Sequence, residues 1–220
     1  MTGRVNSLDG REVEWNLSFR KEWSFRAMGW AMGVPDLLNI GWYPAQASTR
    51  ISGTIRIGDD IVTLDGVEGY QDRNWGRSFP KWWTWIVANR FHEAKDTTLV
   101  VGGGAPSVLG HPSPYEGVSI GFRHAGKTFS FRPSEGVFPR ADISFGRWEV
   151  EAKDLVGNQI QISASARPEQ FMDLQFLSPQ GQVFHDYETL NGQLKLRFKR
   201  FKQNWIELSS DEAGIEYGSF

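Results

Sequence analysis

The chain has 220 residues, 40% hydrophobic and 23% charged, an ordinary globular composition long enough to bury a sizeable core. A formal net charge of -2 gives no basic field to attract nucleic acid. With no cysteine, disulfides, thiol catalysis and zinc-thiolate sites are excluded together. No apolar run is long enough to span a bilayer, and Met1-Thr2-Gly3-Arg4-Val5-Asn6 lacks the apolar stretch of a signal peptide. The default expectation is a cytoplasmic protein without stable membrane insertion, peripheral membrane contact staying open.

In chain order, period-two alternation dominates. Val13, Trp15, Leu17 and Phe19 alternate with polar neighbours, then Ile51, Gly53, Ile55 and Ile57 do the same. Phe129 and Phe131, then Ile160, Ile162 and Ala164, then Leu194, Leu196 and Phe198 continue the pattern. Each run predicts a strand with one wet face. Gly58-Asp59-Asp60, His124-Ala125-Gly126-Lys127, Gly157-Asn158 and Asn191-Gly192 carry turn chemistry between runs. Residues 25–38 read as loop with one helical turn, because Gly29, Gly33 and Pro35 interrupt any stripe. A short helix is expected within 168–186. Short strands joined by such turns predict an all-β, antiparallel barrel or sandwich with little helix. No linker or repeat divides the chain, so residues 1–220 are read as one domain.

The chemistry-bearing residues concentrate in Gly69-Tyr70-Gln71-Asp72-Arg73-Asn74-Trp75-Gly76 and the aromatic stretch that follows it. Alternation puts Trp83, Trp85, Val87, Asn89 and Phe91 on one face of a strand, and Trp82, Thr84, Ile86, Ala88 and Arg90 on the other. A strand apolar on both faces is buried on both, and polar Thr84 and Asn89 within it need partners. Such a strand either lines a ligand cavity or crosses a plain core.

Asp72-Arg73-Asn74-Trp75-Gly76, with Ser78-Phe79-Pro80, Lys81-Trp82, Trp85 and Gly102-Gly103-Gly104, resembles the central motif of tocopherol cyclases. The similarity runs from about Val13 to the C-terminus and is strongest between Gly69 and Gly104. Related carotenoid 1,2-hydratases carry histidines beside the acidic position; Gln71 and Arg73 here favour the cyclase branch. Family chains are longer, with a further β-rich half before the matched region. A cavity completed by that half or by a second chain, including a homodimer, is therefore an open expectation.

The resemblance implies a lipocalin-like fold and a cyclase of isomerase type, without metal or redox cofactor. Its substrate would be a hydrophobic, prenylated or polyene molecule. The implied reaction protonates an alkene, and a phenol oxygen then closes a ring on the tertiary cation. That chemistry needs a positioned acid, aromatic faces and a dry site. Asp72 is the candidate acid, with Arg73 and Tyr70 beside it. Trp75, Asn74, Trp82, Trp83, Trp85 and Asn89 are candidate substrate contacts. Against each stands a structural role: a rim salt bridge for Asp72 and Arg73, backbone satisfaction for Asn74, core packing for the tryptophans. Pericyclic templating is a variant within the class, and a non-catalytic carrier of a terpenoid or lipid is the rival. Gly102 to Gly104, with Pro106, His111-Pro112 and Pro114, reads as a connecting loop or lid. The four histidines show no metal-ligand spacing.

Overall fold

The computed structural model describes residues 1–7, 9–112 and 116–220. The fold is all-β and antiparallel, as the alternation predicts, with helix limited to three short 3-10 turns among the described residues. In chain order the strands are β1 (Thr2–Asn6), β2 (Glu12–Trp23), β3 (Ile40–Ile57), β4 (Asp60–Gly76), β5 (Trp82–Ala88), β6 (Thr98–Gly104), β7 (Ser107–Val108) and β8 (His111–Pro112). There follow β9 (Gly117–His124), β10 (Lys127–Phe131), β11 (Arg140–Ser144), β12 (Arg147–Lys153), β13 (Gln159–Ser165), β14 (Met172–Leu177), β15 (Val183–Lys199) and β16 (Ile206–Ser219).

Two compact units emerge: Met1–Ser24 with Pro44–Asp72, and Phe25–Tyr43 with Arg73–Phe220. In the smaller unit β2 pairs β3 from Val13↔Ile57 to Trp23↔Ser48, which puts Trp15 opposite Ile55 and Phe19 opposite Ile51. Its polar face carries ion pairs instead of a core, with Arg50 between Glu22 and Glu68.

The larger unit is built on one ten-stranded sheet, ordered β10-β9-β6-β5-β16-β15-β13-β12-β11, with β14 also paired to β15. The sheet curls until distant strands meet. Phe198 of β15 packs on Phe122 of β9 and Phe129 of β10, at ring distances of 4.8 and 4.6 Å. Trp148 of β12 donates its indole N–H to the Thr84 hydroxyl of β5 over 2.7 Å. Inside the curl, Ile86, Leu99, Val101, Ile120, Ile160, Leu194 and Ile215 are fully buried. Burying so many aliphatic side chains is the main favourable term for this unit.

Three turn predictions hold: Gly58-Asp59, Ala125-Gly126 and the residues before Asn158 connect paired strands. A 3-10 turn occupies Gly29–Gly33, as expected. The helix expected within 168–186 shrinks to the 3-10 turn Pro168–Gln170, and the rest forms β14 and the start of β15.

Two expectations are corrected. Gly102 to Gly104 are no loop or lid: they end β6, a strand paired on both sides, to β5 and β9. Pro114 lies outside the described residues. Asn191-Gly192 is not a turn either. It lies inside β15, where the register with β16 shifts between Thr189 and Leu194. The Thr189 hydroxyl accepts the Asn191 N–H, and the Ser210 hydroxyl accepts the Glu212 N–H, so the donors freed by the irregularity are satisfied by neighbouring side chains. Before this point Tyr187 of β15 stands opposite Tyr217, which packs on the interior; after it Leu194, Leu196 and Phe198 face inward. The bulge thus switches which parity of residue faces inward.

Candidate functional site

The motif segment is divided between the two units: residues up to Asp72 belong to the smaller, and Arg73 onward to the larger. In the smaller unit Tyr70 and Asp72 are both half-buried on β4, and the Tyr70 hydroxyl donates to Asp72 Oδ2 over 2.8 Å. Gln71, on the opposite side of the strand, is hydrogen-bonded to Gln46. In the larger unit Arg73 and Asn74 are exposed. Trp75 is 42% exposed, with its ring against the backbone of Gly41.

The tryptophans of β5 fall on two faces, as alternation requires. Trp82 stacks on Tyr217, at 6.4 Å between ring centres, on the side of the packed interior. Trp83 and Trp85 point the other way, on the face that alternation assigns to them. Thr84, on the inner side, finds the partners that its burial demands: it accepts from Trp148 and donates to the Glu216 carbonyl over 2.9 Å. β5 ends at Ala88, so half-buried Asn89 and buried Phe91 lie past the strand rather than on the face of Trp85.

The face of Trp83 and Trp85 carries what the sequence does not advertise. Cross-strand register puts Asp186 (β15), Gly218 (β16) and Trp83 (β5) in one row, and Glu188, Glu216 and Trp85 in the next. Residues directly opposite one another share a face. Asp186 is 4% exposed and Glu216 is half-buried. The two carboxyl groups are near enough to interact directly, and a hydrogen bond between them requires one of them to be protonated. Trp83 donates its indole N–H to Asp186 Oδ1 over 3.3 Å.

Burial pushes both carboxyls above the ordinary carboxylate range, because water that would solvate their charge is gone. Glu216 is raised further, since the charges of Asp186 and Glu188 add to the effect of burial. Asp173 acts in the same direction on Asp186, while the hydrogen bonds from Glu216 and Trp83 oppose it.

Aromatic rings close around the pair. Phe184 lies 4.3 Å from Trp83 and 4.8 Å from Phe79, stacked on the latter, and Phe220 meets Phe184 edge-on at 5.0 Å. Gly218 makes this possible: a Cβ there would lie 2.5 Å from Phe184 and 2.7 Å from the Trp83 indole nitrogen. Gly102 serves the same face, its missing side chain leaving room for the Trp42 ring.

The site can therefore hold a proton in an apolar, aromatic setting, which is what an acid for a carbon centre requires. Sequence reasoning missed Asp186 and Glu216. They lie far apart in the chain, and each reads as the wet position of an alternating strand. Among the described residues no group of histidine and carboxylate side chains has the arrangement of a metal site. No helix among them is long and apolar enough to cross a membrane.

Comparison with known proteins agrees with the motif. The chain is 24% identical over 140 residues to a probable chloroplastic tocopherol cyclase of Oryza sativa subsp. japonica, covering 63% of this chain and 29% of that protein. It is 27% identical over 127 residues to the chloroplastic tocopherol cyclase of Zea mays, covering 57% of this chain and 27% of that one. It thus spans under a third of the length of these relatives. In fold it resembles kievitone hydratase from Nectria haematococca, with a TM-score of 0.52 at 13% identity, over 100% of this chain and 64% of that structure. The tocopherol cyclase-like family matches residues 3–219, nearly end to end, and the chain belongs to that family.

Proposed function

We propose that this chain is a cyclase domain that protonates an alkene of a hydrophobic, prenylated substrate and closes a ring on the resulting cation. The observation that carries the reading is the carboxyl pair Asp186–Glu216, drawn out of water beside Trp83 among stacked rings. Membership in the tocopherol cyclase-like family supports the reaction class.

In this reading the Glu216 O–H bond breaks as a C–H bond forms at the less substituted alkene carbon. The tertiary cation is faced by the rings of Trp83 and Trp85. The phenol oxygen attacks it, and the phenol proton returns to the carboxylate pair. Substrate and product are isomers, and the acid is regenerated without a redox partner. Asp186 holds the Glu216 carboxyl in place, and its own orientation is set by Trp83. Asp72, held by Tyr70, is the rival acid suggested by the motif.

The test is incubation of the protein with a prenylated phenol, followed by mass spectrometry and chromatography of the product. A ring-closed isomer supports the proposal, and Glu216→Gln should slow its formation roughly 100-fold or more. Substrate recovered unchanged after long incubation would make the domain a carrier. A product heavier by one water would mean that the cation is captured by water, as in a hydratase.

A further inference from the structure

We propose that the end of the larger unit formed by the β12–β13 and β15–β16 loops is a docking surface for an anionic lipid bilayer. The reading is independent of the cyclase chemistry. The β12–β13 hairpin carries Leu155 and Val156 at its tip, 83% and 69% exposed, and the β15–β16 loop adds Phe201 at 55%. Three large apolar side chains held in water at adjoining loop tips call for an apolar partner.

The tip is built, not slack. Asp154 folds its carboxylate back into the hairpin: Oδ1 accepts the backbone N–H groups of Val156, Gly157 and Asn158 at 3.0, 2.8 and 2.8 Å, and Oδ2 accepts the Asn158 side-chain amide at 2.6 Å. Asn158 Oδ1 in turn accepts the Phe201 N–H over 3.0 Å, tying the second loop to the first. Gly157 has a φ of +98° and lies so near the Phe201 ring that a Cβ would come within 2.7 Å of it. The apolar residues are therefore presented as one unit, with little ordering left to occur on binding.

Basic residues adjoin them in the chain. Lys153, Lys199, Arg200 and Lys202 flank the two loops. Lys202 lies over the Phe201 ring at 5.2 Å, and Lys199 over Trp205 at 5.3 Å, so their stems hug the aromatic surface. Asp154, the acid within the hairpin, spends its oxygens on the loop itself. The chain's net charge is -2, so this positive end is a local arrangement that matches a negative surface. Apolar tips that enter the acyl boundary, with cations in the flanking strands to meet headgroups, are the two signals that stable peripheral binding needs.

Co-sedimentation of the full chain with phosphatidylcholine vesicles, with and without phosphatidylglycerol, tests the surface. The expected result is binding to the anionic vesicles that weakens with added salt. The double variant Leu155→Ser with Val156→Ser should bind roughly tenfold or more weakly. Each of Lys199→Gln, Arg200→Gln and Lys202→Gln should cost roughly fivefold on anionic vesicles alone. Leu155, Val156 and Lys202 are exposed and Lys199 and Arg200 half-exposed, and circular dichroism checks that the variants fold. No binding to anionic vesicles, or binding that the Leu155 and Val156 changes leave intact, overturns the proposal. The latter result would assign the tips to a protein partner or to no partner at all.

Discussion

Two acid-bearing places stand in contrast: Tyr70–Asp72 on β4 and Asp186–Glu216 across β15 and β16. The first sits within a conspicuous run of the sequence, yet its carboxyl is half-buried and accepts from a hydroxyl two residues away on the same strand. The second has no local signature. Its members are brought together by strand register, drawn out of water, and held above the usual carboxylate range by that burial. Local density of polar and aromatic residues marks where a family motif lies. Proton chemistry depends on desolvation, which only the assembled sheet supplies.

Turnover is where the contrast should break open most widely. If the buried pair is the acid, Glu216→Gln lowers kcat by about 10²- to 10⁴-fold, while Asp72→Asn stays within a few-fold of the parent. The opposite ranking, from initial rates on one prenylated phenol with the fold verified, would return the acid to β4.

Next in size is the scaffold behind the pair. Thr84→Val removes the acceptor of the Trp148 indole N–H and the donor to the Glu216 carbonyl, and should destabilise the fold by about 1–3 kcal/mol in urea melts. A loss below about 0.5 kcal/mol would mean that the indole finds another partner on relaxing.

The pair should also show in the pH dependence of stability. Both carboxyls bind protons more tightly folded than unfolded, so stability falls as pH rises from the ordinary carboxylate range, about 4, through their raised values. Asp186→Asn removes one of the two groups and should flatten this decline. Parallel curves of urea midpoint against pH for parent and variant would contradict the linkage. The smallest effect belongs to β4: Tyr70→Phe gives up one partly exposed hydrogen bond and should cost about 0.5–1.5 kcal/mol.

Much of the fold was legible in the alternation. Val13 to Phe19, Ile51 to Ile57 and Leu194 to Phe198 are strands with the faces that their spacing assigns. The β5 faces were legible too, but not which of them meets the packed interior, because both are apolar. Gly102 to Gly104 misled because glycine shows no pattern: without side chains a strand and a loop look alike, and here the absence of a side chain makes room for Trp42. Asn191-Gly192 misled because residues that suit a turn also suit a bulge. The family was legible from the motif, whereas the carboxyl pair was not, since nothing local links residue 186 to residue 216.

The irregularity of β15 and β16 between Thr189 and Leu194 has a genetic corollary. Asp186 and Leu194 have the same parity, yet one meets a carboxyl and a tryptophan while the other joins the aliphatic interior. Loss of one codon in this stretch would leave Asp186, Glu216 and Trp83 in the protein and still rotate Asp186 toward the packed interior, with Tyr187 turned out. A compensating loss in the facing stretch of β16 would be needed as well, because both strands change phase there. The two stretches should therefore gain or lose residues together across the family, a length correlation that homologous chains can display without any assay.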